Sequence, residues 1–376
     1  MREALKAAKR GLGRTSPNPA VGAVVVKGSQ VIGRGYHRKA GLAHAEIEAM
    51  RGLGKKDLRG ATLFVTLEPC CNWGHTPPCT GAIIGSGIKK VVIGALDPNP
   101  EVSGRGVRIL RRAGVEVSTR VLEGQCLEII EWYAKYITTQ RPFVILKIAS
   151  TLDGRIATAS GRSRWITGVE SRRYVHRLRS MVDAVMVGSS TVRTDDPELT
   201  VRLVKGRRNP ARVVVDRSFE TPFTAKVFAG VGESRGEGGG GGKGGEGVFV
   251  FTTKKAKREK VEEARSLGAT VKIIRETADG VSLRGVLREL GRAGITSLLV
   301  EGGARLSASI LRERLADKVL VFLSPMVLGA DSVPSVGPLG TGSLKGALRL
   351  KDVRVSRTGE DVLVEGYTGG MRSKGL

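Results

Sequence analysis

The sequence predicts an α/β protein built from two domains. Apolar runs of strand length alternate with segments of helical spacing, which is typical of sheets covered by helices. A chain of 376 residues is longer than a domain with a single hydrophobic core usually is. Helical spacing at 126–142 ends at a proline, and an apolar run at 143–150 follows. We therefore place the domain boundary there, with a first domain at 1–141 and a second at 142–370.

The first domain alternates strand and helix patterns. Two short β-rich runs at 22–27 and 30–36 enclose a turn that contains glycine. Helical spacing follows over 44–54 and closes with a glycine. The later elements are predicted as strands at 61–69 and 89–96 and a short helix at 79–87. This order predicts a layered α/β domain.

The second domain continues the alternation. Its strands are predicted at 143–150, 183–189, 211–216, 247–253, 269–274, 297–303 and 318–325. The glycine-rich segment at 236–247 offers almost no side chains to bury, so we expect a flexible insert between strands. It lacks the Gly-Lys-Ser/Thr ending of a phosphate-binding P-loop.

The bulk composition limits the location and the partners. The chain has no run of about 18 apolar residues and no apolar leader with a cleavage site, so we expect a cytoplasmic protein without a membrane span. The net charge of +26 attracts anions, which leaves nucleic acid, phosphorylated metabolites and a generally cationic surface open. Aromatic residues make up only 4%, which argues against a stacking platform for single-stranded nucleic acid.

Four residues of the first domain are of the types that a zinc-dependent deamination site needs. His44, Cys70 and Cys79 are suitable zinc ligands, and three protein ligands leave a fourth position for water. Glu46, two residues after the histidine, can lie beside the metal and move protons. This H-x-E and later P-C pattern is the zinc deaminase signature, although eight residues rather than two separate the cysteines. A structural zinc site, unligated core thiols, and Cys71 as a ligand are the alternatives.

Motifs along the whole first domain resemble one family. The run EPCCNWGHTPPC at 68–79 is similar to that of the bacterial riboflavin-pathway deaminase, the RibD family. Further matches are SPNP at 16–19, GYH at 35–37, TLEPC at 66–70, DPNP at 97–100 and GRG at 104–106. The resemblance implies a cytidine-deaminase-like three-layer fold and hydrolytic loss of ammonia from a phosphoribosylamino diaminopyrimidinone. It also places Asn18, Asp97 and Asn99 near the pyrimidine, with turn capping as the alternative role.

Several positions depart from the pattern of that family. Cys71, Asn72 and Trp73 stand where members have Ser-His after the first cysteine. His75 replaces a lysine or arginine, and Glu48 replaces a second histidine. These changes leave the zinc ligands and the proton shuttle in place but alter the expected substrate contacts.

The second domain carries its own set of motifs. They are TLDGR at 151–155, SRWIT at 163–167, HRLR at 176–179, TDDPELTVR at 194–202 and VEGG at 300–303. Together they resemble the reductase half of the same bifunctional family, which has a dihydrofolate-reductase-like fold. The resemblance implies NADPH as the hydride donor and reduction of the ribosyl side chain to ribityl.

Matched positions imply roles for single residues of this domain. The residues expected to line NADPH are Ala149, Trp165, Thr191, Asp195, Gly303, Ala304, Arg305, Leu306, Ser307, Ala308 and Ser309. The residues expected to hold the substrate, with the arginines facing its phosphate, are Ser163, Arg179, Leu199, Arg202 and Glu301. Lys147 is the candidate for the reacting centre, with a solvated strand-edge lysine as the alternative. Arg217 replaces a small residue that the family has near the cofactor.

The sequence thus predicts a bifunctional deaminase–reductase that acts on a small phosphorylated pyrimidine, with zinc and NADPH as cofactors, and we expect a homo-oligomer. One alternative is a nucleic-acid or free-base zinc deaminase, which leaves the second domain unexplained. Nucleic acid is therefore not expected as a partner. The other alternative is a zinc-stabilised binding module without catalytic activity.

Overall fold

The computed structural model describes residues 1–73, 77–205, 208–232 and 247–369. His75 and all of the predicted glycine-rich insert except Gly247 lie outside these ranges. The contacts within the chain divide it into two units, Met1–Gln140 and a unit that begins at Arg141.

The first unit is built on a five-stranded sheet. Its elements in chain order are α1 (Arg2–Lys9), β1 (Gly22–Lys27), β2 (Gln30–Tyr36), α2 (Ala45–Met50), α3 (Lys55–Leu58), β3 (Thr62–Leu67), α4 (Cys79–Ser86), β4 (Lys90–Ala95), α5 (Arg105–Arg112), β5 (Glu116–Ser118), α6 (Glu123–Ile129) and α7 (Glu131–Thr139). The strand order is β2-β1-β3-β4-β5, in which β1 is antiparallel to β2 and β3. The strands β3, β4 and β5 are parallel.

Small residues let the helices lie directly on this sheet. A Cβ atom at Gly22 of β1 would meet the backbone of α1, whereas the next residue, Ala23, belongs to the core that contains Ala45 of α2. Successive side chains of a strand point to opposite faces, so helices cover both faces of β1. On β2, a Cβ atom at Gly35 would be 2.3 Å from the carbonyl oxygen of Ala45. The close approach of α2 to the sheet therefore requires glycine at this position.

The second unit is built on a nine-stranded sheet. Its elements are β6 (Phe143–Thr151), β7 (Arg155–Ala157), α8 (Val169–Arg179), β8 (Ala184–Gly188), α9 (Ser189–Asp195), β9 (Ala211–Val215), β10 (Val248–Thr252), α10 (Arg258–Ser266), β11 (Thr270–Ile273), β12 (Glu276–Thr277), β13 (Gly280–Val281), α11 (Leu283–Arg292), β14 (Ser297–Val300), α12 (Ala304–Arg312), β15 (Lys318–Ser324), β16 (Val333–Pro334), β17 (Lys351–Thr358) and β18 (Asp361–Tyr367). The strand order is β11-β10-β9-β8-β14-β6-β15-β18-β17. All neighbours from β11 to β15 are parallel, and β18 and β17 add an antiparallel hairpin.

The parallel arrangement determines where a cavity can form in the second unit. The strands β8, β14 and β6 are neighbours, so their carboxyl ends lie at one edge of the sheet. In open parallel sheets ligands bind at this edge, beyond the carboxyl ends of the strands. The strands below it are rigid, because Leu146, Met186 and Val300 are fully buried in one hydrophobic core.

The α/β class predicted from the sequence is confirmed by both sheets. The helix predicted over 126–142 is divided, because the backbone of Ile130 leaves the helical conformation between α6 and α7. The helix predicted over 44–54 ends at Met50, since Arg51 is extended. The hairpin of β17 and β18 extends the sheet beyond the predicted strands. Within the described ranges no helix combines the length and apolar character needed to cross a bilayer.

We predict that Gly35→Ala destabilises the first unit. The added Cβ atom would lie 2.3 Å from Ala45 O, so α2 must move away from the sheet. The free energy of unfolding should fall by about 1–3 kcal/mol, the usual cost of overpacking, and calorimetry measures this. Gly124→Ala in α6 is the control, because nothing lies within 4 Å of its Cβ position. Equal melting temperatures for Gly35→Ala and the unmodified chain would contradict this packing.

Candidate active sites

Three predicted zinc ligands meet in the first unit. His44 precedes α2, Cys70 follows β3, and Cys79 opens α4. The Nδ1 atom of His44 lies 3.3 Å from the Cys79 Sγ atom and 3.4 Å from the Cys70 Sγ atom. All three ligand atoms lie within 4.8 Å of one another. One imidazole and two thiols at this spacing fit a zinc ion and leave its fourth position open.

The surroundings favour a metal-binding thiolate at Cys70. Hydrogen bonds from Cys79 and His44 lower the pKa of Cys70. The Sγ atom of Cys71 is outside the three-residue group and lies 3.6 Å from its neighbour, Asn72 Oδ1. Burial raises the pKa of Cys71, which disfavours the thiolate. The geometry thus favours Cys70 over Cys71.

The carboxyl group of Glu46 lies in the same cavity as the zinc ligands. The cavity has a volume of about 440 Å³, and His44, Glu46 and Cys70 form part of its wall. Only 3% of Glu46 is exposed. Burial, together with the charge of Cys70, raises the pKa of Glu46 to about 7. A carboxyl group with this pKa can both accept and release a proton near neutral pH.

The three predicted pyrimidine contacts line this cavity as well. The Nδ2 atom of Asn18 lies 3.2 Å from His37 Nε2, and His37 Nδ1 lies 3.1 Å from Ala43 O. Asp97 Oδ1 accepts a hydrogen bond of 2.9 Å from the backbone N–H of Asn99. Burial raises the pKa of Asp97 to about 6. Asn18, Asp97 and Asn99 are therefore brought to one wall.

Sequence reasoning missed two residues that hold Asp97 in place. Tyr133 of α7 donates a hydrogen bond of 3.0 Å to Asp97 Oδ1. Glu68 is buried and accepts hydrogen bonds from the backbone N–H groups of Asp97, Gly104 and Val107, at 3.2, 2.9 and 3.1 Å. Glu68 thereby joins the end of β3 to the loop 97–104 and to the start of α5. The sequence signal that could have identified Glu68 is the position of an acidic residue at the end of an apolar strand.

The residues that depart from the family pattern have identifiable surroundings. Glu48 forms ion pairs with Arg38 at 3.2 Å and Arg51 at 2.7 Å. Asn72 and Trp73 belong to the cavity wall. Their predicted effect on substrate contacts stays a prediction.

A second cavity, of about 550 Å³, lies in the second unit. Its wall contains ten of the predicted site residues, namely Lys147, Ala149, Ser163, Trp165, Arg179, Thr191, Asp195, Leu199, Arg202 and Glu301. The indole of Trp165 is 64% exposed, and the guanidinium of Arg172 lies over it at 4.1 Å. One cavity therefore gathers both the predicted cofactor residues and the predicted substrate residues.

The segment from Gly303 to Ser309 is absent from this cavity wall. It forms the start of α12. The backbone N–H of Ser307 donates to Gly303 O, and the N–H groups before it in the first turn have no partner within the helix. A Cβ atom at Gly303 would be 3.7 Å from Thr191 Oγ1, so the helix start lies beside the cavity. Leu306 packs on the core, and Ser307 and Ala308 are buried. Because several side chains of this segment are buried, the groups that it presents to the edge of the cavity are its backbone N–H groups.

A buried ion cluster lies in the wall of the second cavity. Glu301 Oε2 is 3.2 Å from Lys147 Nζ, and Arg179 binds both carboxylate oxygens at 2.6 and 3.1 Å. Burial alone raises the pKa of Glu301, but Arg179 and Lys147 outweigh it and lower that pKa to about 2. Arg179 also donates to the carbonyl oxygen of Thr200. Arg217 lies outside this cavity wall and forms ion pairs with Glu276.

Fold and geometry define a zinc deaminase joined to a reductase, and comparisons with known proteins support each half. The model of the cytidine and deoxycytidylate deaminase zinc-binding region matches residues 1–95. The model of the RibD C-terminal domain matches residues 142–364. The predicted class of two unlike α/β domains is thereby confirmed.

Relatives match along almost the full length of the chain. The riboflavin biosynthesis protein RibD of Aquifex aeolicus is 44% identical over 364 residues, which are 97% of this chain and 96% of the relative. That of Escherichia coli is 36% identical and covers 96% of each chain. The deaminase–reductase structure from Thermotoga maritima has a TM-score of 0.83 and 40% identity, and covers 98% of this chain and 97% of its own. Acinetobacter baumannii RibD has a TM-score of 0.85 and 36% identity, and covers 97% of each chain.

The chain belongs to the RibD family. It is a bifunctional deaminase–reductase of riboflavin biosynthesis, as the sequence predicts. Its cofactors are zinc and NADPH.

We predict that Glu68→Gln destabilises the first unit. The amide that replaces one carboxylate oxygen cannot accept from the backbone N–H groups that now bind it. The free energy of unfolding should fall by about 1–3 kcal/mol, the usual cost of an unsatisfied buried group. Denaturant unfolding measures the change, with the exposed Glu101→Gln as control. Identical stability of both variants would exclude this role of Glu68.

Proposed function

We propose that residues 1–141 hydrolytically deaminate 2,5-diamino-6-(5-phosphoribosylamino)pyrimidin-4(3H)-one, and that residues 142–370 reduce the ribosyl side chain of the product to ribityl phosphate with NADPH. The observation that carries the proposal is the pair of cavities, one lined by His44, Glu46 and Cys70 and the other by ten of the predicted reductase residues. The Thermotoga maritima structure, which matches over almost its full length, is described as a diaminohydroxyphosphoribosylaminopyrimidine deaminase and 5-amino-6-(5-phosphoribosylamino)uracil reductase.

In the deaminase, His44, Cys70 and Cys79 would hold zinc, which would let a water molecule lose its proton near neutral pH. Glu46 would accept this proton as the water oxygen bonds to the carbon that carries the amino group, and would return a proton as the C–N bond breaks and ammonia leaves. The position of Glu46 at the start of α2, buried beside the ligands, supports this role. The same residue can serve both transfers because its pKa of about 7 lies near neutral pH.

Hydrogen-bond acceptors on the opposite part of the cavity wall would orient the pyrimidine. If His37 donates through Nδ1 to Ala43 O, its Nε2 atom accepts from the amide nitrogen of Asn18. The carbonyl oxygen of Asn18 is then left for the ligand. Asp97 uses Oδ1 for Asn99 and Tyr133, which leaves Oδ2 for the ligand. A diaminopyrimidine presents N–H donors that match these two acceptors.

In the reductase, NADPH would supply the hydride when bound, and the residues of the cavity wall would hold it beside the substrate. Ala149, Trp165, Thr191 and Asp195 would line the cofactor, and the free N–H groups at the start of α12 would bind its phosphates. Lys147 would act at the reacting centre, and its ion pair with Glu301 at 3.2 Å would hold its ammonium group there. Hydride transfer to C1′ of the ribosyl group accompanies cleavage of its bond to the ring oxygen, and Lys147 could supply the proton that this oxygen takes up.

The two arginines of the substrate wall have different roles in this proposal. Arg179 is engaged by Glu301 and by Thr200 O, so it positions Glu301 and with it Lys147. The side chain of Arg202 is 47% exposed and forms an ion pair with Glu198. A phosphate could replace Glu198 as the partner of Arg202. Ser163 and Leu199 complete this wall. A cytoplasmic location and assembly into a homo-oligomer stay predictions from the sequence.

Glu46→Gln should abolish deamination without loss of zinc. The amide keeps the shape of the side chain but cannot accept the proton of water, so ammonia release should fall about 10²–10⁴-fold. Zinc content, measured by atomic absorption, should stay at one per chain because no ligand is changed. Glu48→Gln is the control on the same helix, since Glu48 is held by two arginines away from the ligands. Ammonia release at the normal rate from Glu46→Gln would refute the assignment.

Arg202→Gln should weaken the reductase alone. Loss of one charge-assisted hydrogen bond to phosphate should raise the reductase KM about 10- to 100-fold. NADPH oxidation with the deaminated intermediate measures the effect, and ammonia release should be unchanged. Arg258→Gln is the control, because that side chain is 87% exposed on α10. Equal losses in both activities would contradict the assignment of the two reactions to separate domains.

A further inference from the structure

His176 is a buried residue of the second cavity that the proposed mechanism does not use. It lies on α8, one turn before Arg179, and is 7% exposed. Its ring forms part of the cavity wall. The backbone N–H of Arg202 donates a hydrogen bond of 3.0 Å to His176 Nδ1. The ring therefore fixes the backbone of the segment 199–202, which carries two of the predicted substrate residues.

This hydrogen bond determines which ring nitrogen carries the proton. Because Nδ1 accepts from Arg202, the proton of the neutral ring is on Nε2. Within the described part of the chain the Nε2 atom makes no hydrogen bond. Because His176 lines the cavity, its Nε2–H is a donor available to a ligand there. Burial, with the charges of Arg179 and Arg202, lowers the pKa of His176 to about 4, so the ring is neutral at physiological pH.

The surroundings of this donor suit an anion. Arg172, Arg179 and Arg202 all raise the local positive potential at His176, and the nearby carboxylates are Glu198 and Glu301. Glu301 is already bound by Arg179 and Lys147, and Glu198 by Arg202. A phosphate monoester is the anion that the proposed substrate carries, and its oxygens accept such N–H donors.

We propose that His176 recognises the phosphate group of the reductase substrate: Nδ1 holds the Arg202 segment in position, and Nε2–H donates to a phosphate oxygen. The inference rests on the proposed reductase function. In this proposal the neutral ring of His176 and the side chain of Arg202 bind the phosphate together, whereas Arg179 holds Glu301.

Two substitutions separate the two ring nitrogens. His176→Asn keeps an acceptor near the Nδ1 position but has no donor near Nε2. His176→Gln keeps a donor near Nε2 but loses the acceptor for Arg202 N–H. NADPH oxidation is followed with the phosphorylated intermediate and with the same compound after phosphatase treatment, and kcat/KM for the two gives a phosphate discrimination ratio.

We expect His176→Asn to lower the discrimination ratio about tenfold, through a higher KM for the phosphorylated compound alone. His176→Gln should lower the ratio less than His176→Asn, because it keeps the donor to phosphate, and its melting temperature should fall because the acceptor for Arg202 N–H is lost. Arg177→Gln, an exposed neighbour on α8, is the matched control. Ammonia release by each preparation verifies that the chain is folded.

The outcomes distinguish this inference from the proposed function. An unmodified enzyme that oxidises NADPH normally, together with an unchanged ratio in His176→Asn, overturns the role of His176 alone. A similar loss of the ratio in the Asn and Gln variants also overturns it, because the ring would then act only through Nδ1. No NADPH oxidation by the unmodified enzyme would overturn the proposed reductase function, and the phosphate assignment with it.

Discussion

The burial of carboxylates is the physical constraint on which both sites depend. A buried carboxylate loses its hydrating water, and the cost in free energy is large unless hydrogen-bond donors or cations replace that water. Glu68 satisfies this requirement with three backbone N–H groups, and in doing so it fixes the loop that carries Asp97. Glu301 satisfies it with Arg179 and Lys147, and thereby fixes the ammonium group at the second cavity. In both units the placement of site residues follows from the compensation of a buried charge.

The contrast between Glu46 and Glu301 shows how the surroundings assign chemistry to the same side chain. Glu301 has two cations in contact, so its pKa falls to about 2 and it stays a permanent anion that positions its partners. Glu46 is also buried, no lysine or arginine of the described residues forms an ion pair with it, and burial with the charge of Cys70 raises its pKa to about 7. Only Glu46 can exchange a proton during a reaction near neutral pH. The distinction between a positioning carboxylate and a proton shuttle is therefore electrostatic.

The local pattern of the sequence predicts the strands, the zinc ligands and the shuttle, because each depends on residue type and short spacing. His44 and Glu46 are two residues apart, and the cysteines follow a strand and open a helix. The roles of Glu68, Tyr133 and His176 depend on contacts between residues far apart in the chain. Tyr133 is 36 residues from Asp97, and His176 is 26 residues from Arg202. Glu68 and His176 lie within family motifs, but no periodicity or motif identifies the distant partner of any of these three residues.

Glu48, which stands where the family resemblance predicts a histidine, is compensated in a similar way. A carboxylate added near a cavity for a phosphorylated substrate would repel that substrate if it were unpaired. Arg38 and Arg51 lie 3.2 and 2.7 Å from its two oxygens, so the group carries more positive than negative charge. Both arginine side chains are more than half exposed, at 58 and 66%, and they need little desolvation to hold this pair. The carboxylate is therefore balanced within its own ion pairs and adds no unpaired negative charge.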